Sequence, residues 1–352
     1  MGADGNLRVG VVGTGAGVRT HIPVWAATPG ALVTAVWSHQ EDRARAVAEQ
    51  FDLPHACTDV AELARLDDVD LVVVATTPDL HRSAVMAAVD AGKHVLCEKP
   101  FAMDAREATE MLDAARSRGV RHLVNHEFRV DPAVVEMERL LGEGMVGHPT
   151  YVSLTDFGDF VSTTQGILSR WWFQEARGGG WLAAHGSHRV DELRALFGEI
   201  TEVCAVLETS IPHPQRSRGT LESEVDDGYF LLLRFASGAI GACLDGAASG
   251  VSARPARLEV HGTEGSLVVD GDRLLAARPG EAPQEIAVPE PELPGLDSRA
   301  DVLHGLWFRR IVDAIRDDTP LRPDFGDGLA EMLVLDACRR SHAERRWVAV
   351  GE

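Results

Sequence analysis

The sequence predicts a doubly wound α/β domain followed by a second domain of antiparallel strands. Over the first third, short β-branched runs alternate with longer Ala-rich stretches of helical period. A glycine-rich turn follows the first apolar run, and beyond residue 125 short apolar runs are separated by glycine-containing turns. At 352 residues the chain exceeds the usual size of one domain, so two are expected, 1–126 and 127–352.

The first strand is Leu7-Arg-Val-Gly-Val-Val12. Residues 33–37, 71–75, 94–97 and 122–125 are further short apolar runs, and 41–51, 59–66, 80–91 and 104–118 carry helical periodicity between them. Strands apolar on both faces and alternating with helices imply a parallel sheet covered on both sides. Beyond it, 202–207, 229–235, 239–244, 257–261 and 266–269 are expected strands, with turns at Ser237-Gly238 and Thr263-Glu-Gly265. Residues 281–294, rich in proline and glutamate, are expected to be an extended surface loop, and helices at 302–316 and 327–344 to close the chain.

Composition narrows the function classes. Fifty-four acidic against 34 basic side chains give a net charge of −20, which repels nucleic acid and anionic membrane. Five cysteines without a C-x-x-C pair indicate neither a disulfide framework nor a cysteine zinc site, and are expected to be reduced thiols in a cytoplasmic protein. The first residues lack a basic and then apolar leader, and no apolar run approaches ~18 residues, so neither export nor membrane insertion is expected.

Two local features point to chemistry. Gly13-Thr14-Gly15-Ala16-Gly17-Val18 lies between the first strand and a helix. The glycine at 13 permits a tight turn, and that at 15 lets backbone approach a pyrophosphate at the positive end of the helix. Val18 stands where the fingerprint has its third glycine. Lys93 and Lys99 are the only lysines beside 32 arginines, and both fall in Ala91-Gly-Lys-His-Val-Leu-Cys-Glu-Lys-Pro100. A partly desolvated ammonium can exchange a proton, whereas a guanidinium cannot. Lys99, at a strand end before proline, is the expected acid/base, and Lys93 reads as a helix-end surface cation.

The second strand ends at Ser38-His39, without the carboxylate that takes the ribose hydroxyls of NAD. Ser38, His39 and Arg43 are placed to accept a 2′-phosphate, so the cofactor is NAD or NADP with a slight lean to NADP.

Several segments together resemble the Gfo/Idh/MocA family of NAD(P)-dependent oxidoreductases. They are Gly13-Thr-Gly15 with His21-Ile-Pro23, Ala75-Thr-Thr-Pro-Asp-Leu-His81, the Ala91 to Pro100 run, Phe128-Arg129 with Pro132, and Gly178-Gly-Gly180 followed by His188. The resemblance implies a Rossmann domain and then an α/β domain with a large open antiparallel sheet whose exposed surfaces mediate homodimers or homotetramers. It implies hydride exchange between nicotinamide and a small polyol, sugar, cyclitol or related carbonyl compound. By the same resemblance Thr76, Thr77, Pro78, His81, Glu98 and Asn125 belong with the cofactor, alongside Gly13, Thr14, Gly15, Gly17, Val18 and Lys99.

The second site segment is Gly178-Gly-Gly-Trp-Leu-Ala-Ala-His-Gly-Ser-His188-Arg-Val-Asp191. In the family an aspartate stands four residues before the histidine, and here that position is Ala184. His188 remains the substrate-orienting partner of Lys99, with His185 a partial replacement for the missing group and Glu127 a candidate for the acid. Glu127 can equally pair with Arg129 or cap a helix. Trp171-Trp-Phe173 fits either an aromatic wall for a sugar face or interface core, and Arg170 and Arg177 flank it as candidate contacts to an acidic group.

Three other readings stay open on the sequence alone. His185, His188 and Asp191 recur at a spacing of three and on a helix would share a face, as ligands of a metal-dependent hydrolase or lyase. A chain lacking the aspartate fits a non-catalytic NAD(P)-binding protein. A retained cofactor oxidised only transiently would serve redox-neutral elimination or glycoside cleavage.

Overall fold

The computed structural model describes residues 5–163, 169–213, 215–216, 219–220, 222–249, 256–291 and 293–352. Its contacts divide the chain into two units, Met1–Glu127 with Pro291–Ala330, and Phe128–Glu290 with Glu331–Glu352.

In the first unit six strands form a parallel sheet: β1 (Leu7–Val12), β2 (Ala31–Trp37), β3 (His55–Cys57), β4 (Leu71–Val74), β5 (His94–Cys97) and β6 (His122–Val124). Their order is β3-β2-β1-β4-β5-β6, so the winding direction reverses between β1 and β4. In such sheets ligands bind outside the carboxyl ends of the strands at this reversal. Val9, Val11, Val72, Val73, Leu96 and Val124 are buried, as helices on both faces require. β3 has three residues and includes a half-exposed histidine, which left no apolar run to find in the sequence.

The connecting helices start and stop where their ends are satisfied. Asp104 caps Ala105–Arg118 by accepting from Glu107 N, and Gly119 ends it in left-handed backbone. The return of 291–330 to this unit is not foreseen by a single division near residue 126. Its helix, Arg299–Arg316, lays Phe308 on Trp25 with ring centroids 4.1 Å apart and planes 5° apart, and both side chains are buried. A linear pattern of apolar residues does not name such a partner.

The second unit carries a nine-stranded sheet. Its strands are β7 (Pro149–Phe157), β8 (Ile200–Glu208), β11 (Gly228–Phe235), β12 (Ile240–Gly246), β13 (Arg257–Gly262), β14 (Ser266–Asp270), β15 (Arg273–Ala277), β16 (Gln284–Ile286) and β17 (Val348–Ala349). The pairs β9 (Gln215–Arg216) and β10 (Gly219–Thr220) form a separate ladder. The nine-stranded order is β16-β15-β14-β13-β7-β12-β11-β8-β17, antiparallel except for β7 with β12. The sheet is thus mixed at one pair. The expected loop at 281–294 contains β16, whose backbone pairs with β15 despite exposed Gln284 and Glu285.

Alternation along β11 puts Tyr229, Leu231 and Leu233 on a covered face and Phe230, Leu232 and Arg234 on an open one. On the covered face the apolar rows end in a polar one. Tyr229 of β11 stands opposite Asp245 of β12, which stands opposite Asp156 of β7.

Candidate functional site

In the first unit the turn after β1 has the form a dinucleotide needs. Gly13 has φ +123°, and a Cβ there would lie 2.3 Å from the Ala75 carbonyl oxygen. Gly15 is exposed, and a Cβ on it would meet nothing within 4 Å, so space above the turn is open to a phosphate. Gly17 is buried and begins a π-helical turn, Gly17–His21, that runs into the helix Ile22–Ala27, with Val18 on it half-buried.

At the end of β2, Ser38 is buried, and its hydroxyl oxygen accepts from Gln40 N. Arg43 donates through Nε to Thr14 Oγ1 at 2.6 Å and through its other nitrogen to Thr14 O at 2.9 Å, bringing an exposed cation to the glycine turn. His39 is exposed. The nearest downstream carboxylate, Glu41, pairs with Arg45.

After β4, Thr76 and Thr77 are half-buried and Pro78 is buried. His81 is enclosed completely. Its Nδ1 lies 3.1 and 3.2 Å from the carbonyl oxygens of Pro100 and Phe101, and Nε2 lies 3.3 Å from Thr76 O. Burial lowers its pKa, and its contacts tie two loops together.

Lys99 follows β5 and is half-buried. Beside it Glu98 accepts from Asn125 Nδ2 at 2.8 Å, lies 2.7 Å from His21 Nε2, and accepts from Lys99 N at 3.1 Å. Burial would raise the Glu98 pKa, but His21, Lys99 and His304 hold it well below the usual carboxylate range. The lysine therefore grows from backbone fixed to an ionised, four-sided carboxylate site. Asn125 is buried within it rather than exposed. Lys93 donates to the carbonyls of Leu66 and Val69, a helix-end role. Glu127 is buried, with Oε1 3.9 Å from His304 Nε2.

In the second unit a π-helical turn, Leu182–Gly186, leads into the helix Ser187–Phe197. Asp226 anchors its start, accepting from Leu182 N at 2.7 Å. His188 is buried and stacks on Phe128 with centroids 4.3 Å apart. Arg129 grips Asp191 with two bonds of 2.6 and 2.5 Å. Arg189 lies over the Phe128 ring and donates to Glu192 and Asp156. Burial disfavours this guanidinium charge, yet Glu192, Asp156 and Asp245 keep its pKa raised. Trp172, Trp181 and Phe160 form an aromatic cluster, with Trp171 packed on Trp172 and Phe173 buried.

His185 is the most elaborately held group. Its Nδ1 lies 2.7 Å from Asp245 Oδ2, which also accepts from the Tyr229 hydroxyl at 2.7 Å, while Asp245 Oδ1 accepts from Trp181 Nε1 at 2.6 Å. His185 Nε2 is 3.8 Å from Asp156 Oδ2. Among the described residues, the ligand atoms of Asp156, His185 and Asp245 form the only histidine and carboxylate grouping of metal-site size, within 4.8 Å of one another. His185, His188 and Asp191 do not form such a group there, because Asp191 is turned to Arg129. Asp245, Asp156, Tyr229 and Trp181 were missed by motif reading. The available signal was an aspartate closing each of two otherwise strand-like runs, Leu154-Thr-Asp156 and Leu244-Asp245.

Among the described residues no helix is long and apolar enough to cross a membrane. Residues 7–126 match the family model described as oxidoreductase family, NAD-binding Rossmann fold, and residues 138–350 match the family's C-terminal alpha/beta domain. Levoglucosan dehydrogenase from Pseudarthrobacter phenanthrenivorans is 28% identical over 384 residues, covering 98% of each chain. 1,5-Anhydro-D-fructose reductase from Ensifer adhaerens is 33% identical over 274 residues, 77% of this chain and 78% of that one. A solved structure of levoglucosan dehydrogenase in complex with NADH and levoglucosan superimposes with a TM-score of 0.89 at 27% identity, covering 99% of this chain and all of the other. With both domain models matched in order, the chain belongs to the Gfo/Idh/MocA oxidoreductases.

Proposed function

We propose that this protein is an NAD(P)-dependent oxidoreductase that moves a hydride between nicotinamide and a secondary alcohol or carbonyl of a sugar, cyclitol or related small molecule. The observation that carries the reading is Lys99, a lysine at the carboxyl end of β5 whose neighbour Glu98 is locked by His21 and Asn125, in the same unit as the open Gly13 to Gly17 turn. The turn fits a pyrophosphate, and Thr14, Gly15 and Arg43 would hold it. Arg43 and His39, with Glu41 paired to Arg45, support NADP alongside NAD, with a slight lean to NADP. The dinucleotide, when bound, supplies the hydride acceptor or donor. Lys99 takes the proton of the reacting hydroxyl, or returns it in the reverse direction, and His188 orients the oxygen.

Full-length coverage by levoglucosan dehydrogenase supports a carbohydrate-like substrate. The aromatic cluster of Trp172, Trp181 and Phe160 suits the apolar face of a sugar ring. The open sheet face supports self-association into a homodimer or homotetramer, since Tyr151, Phe157, Val206, Phe230, Leu232 and Ile240 are all more than 40% exposed on β7, β8, β11 and β12.

The test begins with NADH and NADPH titrations, followed by energy transfer from the seven tryptophans, and continues with a substrate panel that includes levoglucosan and 1,5-anhydro-D-fructose. Binding of either dinucleotide, with turnover of one panel member, is expected. Lys99→Met should bind the dinucleotide as the wild type does and lose turnover by at least ~100-fold. Wild-type turnover in that variant removes Lys99 from the mechanism.

A further inference from the structure

We propose that Asp245 is the positioning residue of a substrate-facing His185: it accepts a hydrogen bond from Nδ1–H and leaves Nε2 as the acceptor for a substrate hydroxyl. This deepens the oxidoreductase reading and rests on it.

The assignment follows from donor and acceptor arithmetic. An ionised carboxylate only accepts, so a ring nitrogen 2.7 Å from Asp245 Oδ2 must carry hydrogen. In the neutral ring the proton therefore sits on Nδ1, and Nε2 keeps its lone pair. Tyr229 and Trp181 donate to the same carboxylate, which holds it in place from two directions. Burial would raise the Asp245 pKa, but His185, Arg189 and Trp181 bring it below the ordinary range, which keeps it an acceptor.

Ring rotation is blocked as well. Trp181 stacks on His185 at 4.7 Å with planes 13° apart, and Phe128 meets its edge at 5.8 Å. The exposures divide the labour: the Asp245 side chain is 1% exposed and that of His185 is 18% exposed. One partner is sealed in the unit and the other reaches its surface.

The same cluster has the dimensions of a metal site, but its charges are already matched. Asp245 is saturated by three donors, and Asp156 accepts from Arg189 at 2.6 Å, so a cation would have to displace protons and compete with a guanidinium. Ala184, buried one residue earlier, offers no side-chain polar atom, so His185 is the nearest polar group along that turn.

The decisive experiment uses the full chain with ring-15N histidine and long-range proton–nitrogen correlation, the His185 signals being identified by their loss in His185→Gln. Wild-type protein should show the Nδ1–H tautomer, and Asp245→Asn should shift it to Nε2–H. A wild-type Nε2–H tautomer overturns the proposal. Saturable zinc binding that Asp245→Asn abolishes also overturns it, in favour of a metal centre.

The kinetic arm uses levoglucosan as the probe. His185→Gln and Asp245→Asn should each lower kcat/KM by roughly 10–100-fold, with NADH affinity unchanged, and the double variant should be no worse than either. Additive losses show that Asp245 does not act through His185. Absence of levoglucosan turnover in the wild type counts against the proposed substrate class, and the tautomer still decides the role of Asp245.

Discussion

Arg129 holds Asp191 through both carboxylate oxygens, at 2.5 and 2.6 Å, with the aspartate side chain only 1% exposed. Residues 62 positions apart thereby fasten the start of the second unit to its central helix, beneath the stacked Phe128 and His188. Removing the guanidinium strips a buried carboxylate of a bidentate partner, which costs far more than losing a surface pair. Arg129→Met is expected to destabilise the protein by about 3–5 kcal/mol, whereas Arg129→Met with Asp191→Leu should recover most of the loss. Urea unfolding of the three proteins checks this, and equal destabilisation by the single and double variants would reject the pairing argument.

The two glycines of the first turn should fail in different ways. Gly13→Ala imposes a side chain on left-handed backbone and a clash with Ala75 O, so it is expected to lower the melting temperature markedly or prevent folding. Gly15→Ala meets open space and should fold normally, yet bind NADH at least ~10-fold more weakly because the methyl occupies the phosphate approach. Calorimetry and the tryptophan titration separate the two effects.

A charge on the open sheet face should disrupt self-association. Leu232 is 51% exposed at the centre of that face, between Cys204 and Ala242 of the adjoining strands. Leu232→Glu is expected to elute as a 38.0 kDa monomer by size exclusion with light scattering, with the wild type larger. An unchanged mass in the variant would place any interface elsewhere.

Burial pushes Asp226 up to about 6, partly opposed by its bond from Leu182 N. A carboxyl raised in the folded state contributes stability that is full below its unfolded value, 3.8, and is lost as pH rises through about 6. Asp226→Asn keeps an oxygen for Leu182 and cannot ionise. It should be more stable than wild type at pH 7.5, by at most about 3 kcal/mol, with the difference shrinking towards pH 4. A constant difference across that range would mean that Asp226 does not titrate there.

The first unit was largely legible because both of its signals are local. Alternating β-branched and helical runs predicted five of its six parallel strands, and the turn from Gly13 to Gly17 needs only neighbouring residues to be recognised. β3 escaped because three residues containing His55 make no apolar run. Ser38 and His81 show what position alone does not give: Ser38 takes a bond from the backbone N–H of Gln40, and His81 lies against three carbonyl oxygens. The cluster around His185 was still less visible. Its aspartates come from β7 and β12, 89 positions apart in the chain, and only the parallel pairing of those strands brings Asp156 beside Asp245. A periodicity of three within one helix suggested His185, His188 and Asp191 instead, which share a segment but not a task.

The stacking of Phe308 on Trp25 has a consequence for synthesis. The nucleotide-binding unit begins at the start of the chain, but the ring that covers its first helix is made some 280 residues later. While the chain is being translated, Trp25 must wait for Phe308 until eight of the nine strands of the second sheet have been made. Such a long-range closing contact slows folding and leaves apolar surface exposed in the interval. A nascent chain halted anywhere before residue 299 is thus a natural client for a chaperone, however complete its glycine turn.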